Sequence, residues 1–147
     1  MFNLAVKSKV IGARPEIETL PDIFLDVLEE TLSVGDLIAR TVEEQVRDLT
    51  LTRRLDAEQA RGILDRQYMT DSDIRAQASR GAVKMPARPD SRQIDVDEAV
   101  RKAKAAFERG VVLIVVDGVQ AMSLDQVLHL HPTSRANFVR LTPLVGG

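Results

Sequence analysis

The chain contains no cysteine and few aromatic residues, and it lacks both a dense basic stripe and a long apolar run. The absence of cysteine excludes disulfides, thiolate metal sites and cysteine-based catalysis. Aromatic residues make up 3% of the sequence and the net charge is -2, a composition that disfavours a nucleic-acid-binding protein. No apolar run approaches the roughly 18 residues of a membrane span, and the N-terminus lacks a signal-peptide pattern. We therefore expect no nucleic-acid partner, no membrane association and a location in the cytoplasm.

The overall composition is that of an ordinary globular protein. Its 147 residues are 44% hydrophobic and 29% charged. This is enough apolar material for a core, and the balance is unlike that of a disordered chain. We expect a single domain that covers residues 1–147.

The first third of the sequence predicts two strands and a helix. Alternation of apolar and polar residues predicts a strand over 2–11. Residues 17–28 have weaker strand character, and Pro21 limits them to an edge or broken strand because proline donates no backbone hydrogen bond. Apolar residues at helical spacing then predict a helix over 34–49, which begins after Ser33.

Residues 51–109, which we call the middle segment, carry short helical patterns. Asp56 can cap one helix, and Thr70 or Asp71 can cap a second that stops near Gly81. The helical pattern interrupts a sequence that is otherwise strand-rich on both sides. We therefore expect the middle segment to be a mainly helical insertion.

The end of the middle segment combines a loop with a third helix. Two prolines make residues 84–92 a predicted loop. Asp95, with Glu98 three positions later, predicts the start of a helix that ends at Gly110.

Strand patterns return abruptly after Gly110. The run 111–116 is apolar and mostly β-branched, which predicts a fully buried central strand, and Asp117-Gly118 predicts a tight hairpin turn after it. Residues 119–122 continue as a short partner strand, and 137–142 form a final strand. With the middle segment set aside, this is the element order of a β-grasp fold, in which a mixed sheet curls around one helix and the last strand lies centrally with its tail free.

The last five residues form a tail that ends in diglycine, Pro143-Leu144-Val145-Gly146-Gly147. Glycine has no Cβ, so such an end can pass through a narrow channel and bring its carboxylate to a buried nucleotide. Pro143 holds the start of the tail extended, and five extended residues reach about 16 Å. The tail is therefore long enough to enter the active site of a neighbouring enzyme.

Two stretches carry a resemblance to a known family. The stretch Thr31–Ile38 is similar to the start of the helix in ubiquitin-like and sulfur-carrier proteins. Leu141–Gly147 is similar to the tail of the molybdopterin-synthase small subunit, including its proline. The chain thus resembles a prokaryotic ubiquitin-like protein of the superfamily that also contains the thiamine sulfur carriers. The resemblance covers residues 1–50 and 110–147, and it implies an α+β fold, a ubiquitin-like β-grasp with the middle segment inserted between the first helix and the third strand.

The resemblance also implies a chemistry at the C-terminus. An activating enzyme binds ATP, and the carboxylate of Gly147, presented after Gly146, becomes an acyl adenylate. Pro143, Leu144 and Val145 would be recognised as the tail. The chain itself would bind no cofactor and would be a substrate rather than an enzyme, with no catalytic residue of its own. Its partners would be the activating enzyme, a conjugating enzyme, a deconjugating peptidase and the target proteins.

Two other functions remain open at the level of sequence, and one possible metal site has to be considered. The adenylate can be converted to a thiocarboxylate, which would make the chain a sulfur carrier instead of a modifier. The diglycine can also be incidental, which would leave a β-grasp module that only binds a partner. His129 and His131, at i and i+2, have a spacing compatible with a metal, but the sequence shows no obvious third ligand nearby. We expect no metal site there, and no nucleophile at Ser123 or Ser134, because no nucleophile-elbow motif is present.

Overall fold

The computed structural model describes residues 2–12, 19–70, 72–76 and 93–141. Within these residues the fold is α+β, as predicted. The strands are β1 (Phe2–Ile11), β2 (Ile23–Val27), β3 (Thr31–Ser33), β4 (Val112–Val116), β5 (Val119–Gln120), β6 (Val127–His129) and β7 (Arg135–Leu141). The helices are α1 (Val34–Arg47), a π-helical turn (Asp48–Thr52), α2 (Ala57–Tyr68) and α3 (Val96–Glu108), and residues 72–76 are also helical.

Five strands form one mixed sheet in the order β2-β1-β7-β4-β5. The first and last strands lie side by side in its centre and run parallel, with Val6 opposite Ala136. All other neighbours in this sheet are antiparallel. A separate two-stranded sheet pairs β3 with β6. Two parallel strands need a long crossover connection between them. Between β1 and β7 this connection consists of the other strands and the helices.

The strand predicted over 2–11 is confirmed. The edge or broken strand predicted within residues 17–28 is shorter than expected. Only Ile23–Val27 forms β2, at the edge of the sheet after Pro21. An edge position suits a strand that follows proline, because the missing donor is not needed there. Residues 13–18, which include the start of the stretch predicted over 17–28, lie outside the described residues.

The first helix begins where the sequence predicts. The Ser33 side chain accepts from the backbone N–H of Asp36 at 3.1 Å. The next free N–H groups, of Val34 and Gly35, donate to the carbonyls of Gln126 and Leu124 at 2.9 and 2.8 Å. Helix α1 is therefore capped partly by a distant loop, which satisfies donors that have no partner within the helix.

The end of the first helix differs from the prediction. Regular α-helix stops at Arg47 and continues as the π-helical turn. Leu49, the last apolar residue of the predicted helix, is fully buried within this turn. The wider turn keeps Leu49 in the core, so the apolar spacing was informative although the helix type was not regular.

The two described helices of the middle segment are confirmed and belong to the core. Asp56 caps α2 in a reciprocal capping box with Gln59, and Asp95 caps α3 through the N–H of Glu98. Their buried residues join those of α1 and of the sheet in one hydrophobic cluster: Ala60, Ile63, Leu64, Tyr68, Ala103 and Ala106. Helices α2 and α3 therefore pack on the sheet.

A third helix starts in the middle segment after Thr70. The Thr70 hydroxyl accepts from the N–H of Asp73 at 3.0 Å, and Asp73 in turn accepts from the N–H of Thr70 at 3.1 Å. Thr70 is thus the cap, one of the two predicted. The predicted end near Gly81 and the predicted loop over 84–92 lie outside the described residues.

The strand predicted over 111–116 is present as β4 and is interior to the sheet, but it is not fully buried. It lies between β7 and β5, and Leu113 and Val115 are only half-buried. One face of the sheet packs on the helices and the other is not covered by any described element, so a strand can be apolar on both faces without being buried on both. The turn at Asp117-Gly118 is confirmed, with φ of 50° and 82°, and β5 ends two residues before the predicted Met122.

We call the buried side of the large sheet the inner face and its other side the outer face. Alternate residues of each strand share a face. Fully buried inner residues include Leu4, Val6, Ile114, Ala136 and Phe138. Among the described residues, no helix combines the length and apolar character that a membrane span requires.

Candidate functional site at the base of the tail

The five predicted tail residues, Pro143, Leu144, Val145, Gly146 and Gly147, lie outside the described residues. Their attachment point is described. Strand β7 leads to them and ends at Leu141, in the centre of the sheet. We call the residues around this point the tail base: Ile11, Val111, Arg140 and Leu141.

The backbone of the tail base continues the sheet to the last described residue. Leu141 is paired with Ile11 of β1, and its N–H donates to the carbonyl of Val111 at 3.4 Å. Both flanking strands thus hold the end of β7. The last described residue of the chain therefore lies in a strand that is anchored on both sides.

The outer face at the tail base is apolar with a basic border. The side chains of Ile11 and Leu141 are 51% and 43% exposed. Val139, opposite both Lys9 and Leu113, extends this apolar surface along the sheet. An exposed apolar strip of this kind is typical of a contact surface.

The inner face at the tail base carries a buried arginine. Arg140 is 6% exposed and follows the buried Phe138 on the inner face of β7. Its Nη2 donates to the carbonyl of Met69 at 3.0 Å, and its Nη1 donates to the carbonyl of Leu141. Its Nε has no hydrogen-bond partner among the described residues.

The end of α2 makes a further hydrogen bond to β7 and is linked to β1 through Gln45 of α1. Gln67 Nε2 donates to the carbonyl of Phe138 at 3.2 Å. The Tyr68 hydroxyl donates to Gln45 Oε1 at 2.7 Å, and Gln45 Nε2 donates to Ser8 Oγ at 2.8 Å. Burial raises the pKa of Tyr68 well above its ordinary value, although its hydrogen bond to Gln45 opposes this. The phenol therefore remains neutral and a donor at physiological pH.

The two histidines do not come together as a pair on one strand. His129 is the last residue of β6, and His131 lies in the following turn. His131 Nε2 is 3.5 Å from Asp117 Oδ2, and its Nδ1 is 2.9 Å from the Thr133 hydroxyl. Within residues 2–12, 19–70, 72–76 and 93–141, no group of three or more His, Asp or Glu side chains is placed to hold a metal ion.

Ser134 has a structural role in the same turn. Its hydroxyl donates to Asp117 Oδ2 at 2.7 Å and accepts from the N–H of His131 at 3.0 Å. Burial alone would raise the pKa of Asp117, but hydrogen bonds from the Arg135 N–H and the Ser134 hydroxyl, together with the nearby His131, hold it below its ordinary value. Ser134 donates to a carboxylate and not to a histidine, so it is not arranged as an activated nucleophile.

A pocket of about 420 Å³ lies between α2 and α3. Its walls combine apolar residues such as Leu64 and Ile94 with both acidic and basic side chains, including Asp65, Glu98 and Lys102. Glu98 and Lys102 approach each other to 3.8 Å, so part of this charge is neutralised within the wall. The pocket is a feature of the middle segment alone.

Five polar residues where α1 and α2 meet the sheet were not singled out from the sequence: Ser8, Gln45, Gln67, Tyr68 and Arg140. A signal for three of them was present. Ser8 and Arg140 occupy positions at which strand alternation calls for an apolar residue. Gln45 likewise lies on the apolar face of α1. A polar residue on a face that must be buried needs a partner. Here α2 supplies the partners of Gln45 and Arg140, and Gln45 of α1 supplies the partner of Ser8.

Comparisons of the chain with protein-family profiles, with curated proteins and with solved structures found no match.

Proposed function

We propose that the chain is a ubiquitin-like protein modifier with a β-grasp core. Its C-terminal carboxylate is adenylated by an ATP-dependent activating enzyme and then transferred to target proteins. The chain is the substrate of these reactions, it binds no cofactor itself, and the reactions take place in the cytoplasm.

The observation that carries the proposal is the position of the last strand. A β-grasp has its last strand in the centre of a mixed sheet with the tail free, and β7 lies between β1 and β4. The helix that follows the first strand pair, α1, begins at the Ser33 cap within the stretch that resembles the family. These features support the β-grasp assignment for residues 1–50 and 110–147.

The proposed chemistry needs only the terminal carboxylate from this chain. An oxygen of Gly147 attacks the α-phosphorus of ATP, the bond from that phosphorus to the bridging oxygen breaks, and pyrophosphate leaves. A cysteine thiolate of a partner enzyme then attacks the acyl carbon and AMP leaves. Finally a target amine displaces the thiolate and loses a proton. The absence of cysteine from this chain agrees with a nucleophile supplied by the partner.

The outer face offers a docking surface beside the reacting end. The strip formed by Ile11, Leu141, Val139 and Leu113 borders Lys9 and lies next to the point where the tail leaves. A partner bound there would be within the reach of five extended residues, about 16 Å. Docking and reaction can therefore use adjacent parts of the same molecule.

The middle segment favours a modifier over a sulfur carrier. Helices α2 and α3 are integrated into the core, so they are a permanent part of the surface that the molecule presents. Additional surface is useful for recognition by ligases, readers or a deconjugating peptidase. A sulfur carrier needs only to dock its activating enzyme.

The proposal can be tested by mass spectrometry of the chain from its native cells. Trypsin cleaves after Arg140, the last basic residue of the sequence. A conjugate would therefore leave Leu-Thr-Pro-Leu-Val-Gly-Gly attached to a target side chain. We expect this remnant on lysines of other proteins. A chain that lacks Gly147 is the matched control, because it retains the described fold and should leave no remnant.

The alternatives give different masses. Exchange of one oxygen for sulfur at Gly147 would identify a sulfur carrier and would overturn the modifier proposal. A lysate of the same cells that forms other acyl adenylates normally is the control. If only unmodified chain is then recovered, the result supports a β-grasp module that binds partners without being conjugated.

A further inference from the structure

Arg140 occupies a position that packing alone does not explain. Its neighbours along the inner face of β7, Ala136 and Phe138, are fully buried and uncharged. Among the described residues, no carboxylate lies within ion-pair distance of its guanidinium, and its Nε is unpaired. A buried charge without a counter-ion is unfavourable, so an apolar residue would satisfy packing at this position more simply.

The end of α2 supplies the negative potential that an acidic side chain would otherwise provide. Met69 is the C-cap residue of α2, and its carbonyl accepts from Arg140 Nη2. The C-terminal end of a helix carries a partial negative charge and unsatisfied carbonyls. Arg140 therefore caps a helix of the middle segment from the central strand of the sheet.

The second contact of the guanidinium acts on the tail base. Nη1 donates to the carbonyl of Leu141, the last described residue. That carbonyl and the nitrogen of Thr142 belong to the same peptide unit, which is planar. Fixing the oxygen therefore fixes the direction in which the chain continues after β7. The guanidinium is suited to this because it is a rigid planar fork that can engage two acceptors at once.

We propose that Arg140 is a positioning residue for the reactive tail, which it aims by locking the Leu141 peptide unit to the end of α2. The inference rests on the proposed function, since it assigns to the middle segment a part in presenting the carboxylate to the activating enzyme. Gln67, which donates to the Phe138 carbonyl, holds the same strand to the same helix two residues earlier. The middle segment thus braces the strand that carries the tail.

The first test measures the tail geometry without any enzyme. Because the chain has no cysteine, Glu43→Cys and Val145→Cys provide a unique pair of spin-label sites, one on the exposed side of α1 and one in the tail. In the Arg140→Met variant we expect the distance distribution between the labels to broaden about twofold, because the Leu141 peptide plane regains its torsional freedom. Arg140→Lys keeps the charge but lacks the fork, and it should also broaden the distribution.

Thermal unfolding separates positioning from a merely structural role. Met is close to Arg in length and removes a buried charge, so we expect a shift in Tm within about 4 °C of the unchanged protein. A broadened distribution in a variant of near-unchanged Tm supports the proposal. If the distance distribution between the labels is unchanged in Arg140→Met, the proposal is overturned. If Arg140→Met does not fold, an unchanged distance distribution in Arg140→Lys overturns the proposal instead.

The second test measures activation, as ATP–pyrophosphate exchange in an extract of the native cells to which purified chain is added. With the outer face intact, we expect Arg140→Met to lower kcat by about tenfold with little change in KM, because docking is retained while the tail is misaligned. Unchanged kcat and KM, in an exchange reaction that requires Gly147, would overturn the role of Arg140 and leave the proposed function standing. If the chain that lacks Gly147 gives the same exchange rate as the full chain, the proposed function is overturned. The spin-label result would then still decide whether Arg140 positions the tail.

Discussion

The inner face of the sheet has two unlike halves. In the half farther from the tail base, residues that lie opposite one another on neighbouring strands are apolar. Val6, Ala136 and Val116 are an example. Nearer the tail base the inner face contains Ser8, which is hydrogen-bonded to Gln45 of α1, and Arg140, which is hydrogen-bonded to the end of α2. The apolar half follows the usual requirements of a core, whereas in the polar half each buried group needs a particular partner. The comparison indicates that the first half supplies stability and the second supplies a defined arrangement at the tail base.

The largest expected effect lies where the two halves meet. Phe138 is fully buried, and Phe138→Ala should lower the free energy of unfolding by about 3–5 kcal/mol because it leaves a cavity among close-packed side chains. Urea unfolding followed by circular dichroism measures this. Leu113→Ala on the half-buried outer face is the control and should cost about 1 kcal/mol. Equal losses at the two positions would contradict the assignment of inner and outer faces.

An intermediate effect is expected in the polar half. Tyr68→Phe removes the donor to Gln45 Oε1 and should lower the free energy of unfolding by about 1–3 kcal/mol, because a buried acceptor is left unsatisfied. Urea unfolding measures this as well. The combined variant Ser8→Ala, Gln45→Met, Tyr68→Phe removes donors and acceptors together and should recover most of the loss.

The recovery is the informative part of that experiment. If the combined variant is as unstable as the sum of its single substitutions, the polar half contributes stability in its own right. The division of roles between the two halves would then be wrong.

The smallest expected effect concerns a surface contact of the middle segment. Asp73 accepts from Arg109 Nη1 at 3.0 Å and joins helical residues 72–76 to the end of α3. Hydrogen bonds from Arg109 and from Thr70 lower the pKa of Asp73 to about 2. Because the folded pKa lies below the unfolded value of about 3.9, the stabilisation is complete above about pH 4 and is lost as the pH falls toward about 2.

The measurement is the difference in unfolding free energy between the unchanged protein and Asp73→Asn as a function of pH. We expect a difference below about 1 kcal/mol at neutral pH, since exposed ion pairs are screened by solvent, and its disappearance between about pH 4 and 2. A difference that persists at pH 2 would show that the contact does not depend on the carboxylate charge. A large neutral-pH difference would mean that the middle segment is held at its surface more than at the polar half of the inner face.

The sequence was most informative where the determinant is local. Ser33, Asp56 and Asp95 were identified as helix caps because a cap acts within one turn of its helix. The Asp117-Gly118 turn was identified because few residues adopt positive φ at both turn positions. These elements depend on neighbours within about four residues.

What the sequence did not reveal depends on distant partners. The pairing of β3 with β6, the incomplete burial of β4 and the contacts of Arg140 all join residues far apart in the chain. Alternation assigns residues to a face but does not say which element covers that face. The tail residues predicted as the reacting group, Gly146 and Gly147, lie outside the described residues and remain a prediction.

The parallel pairing of β1 with β7 has a consequence for how the protein folds. Ala5 lies opposite Arg135, so the centre of the sheet forms only when residues from the two ends of the described chain meet. Closing so large a loop is slow relative to forming local contacts. During synthesis β1 has only β2 as a possible partner, and its other edge stays open until β7 has emerged. The tail base therefore forms only after both ends of the described chain have been synthesised.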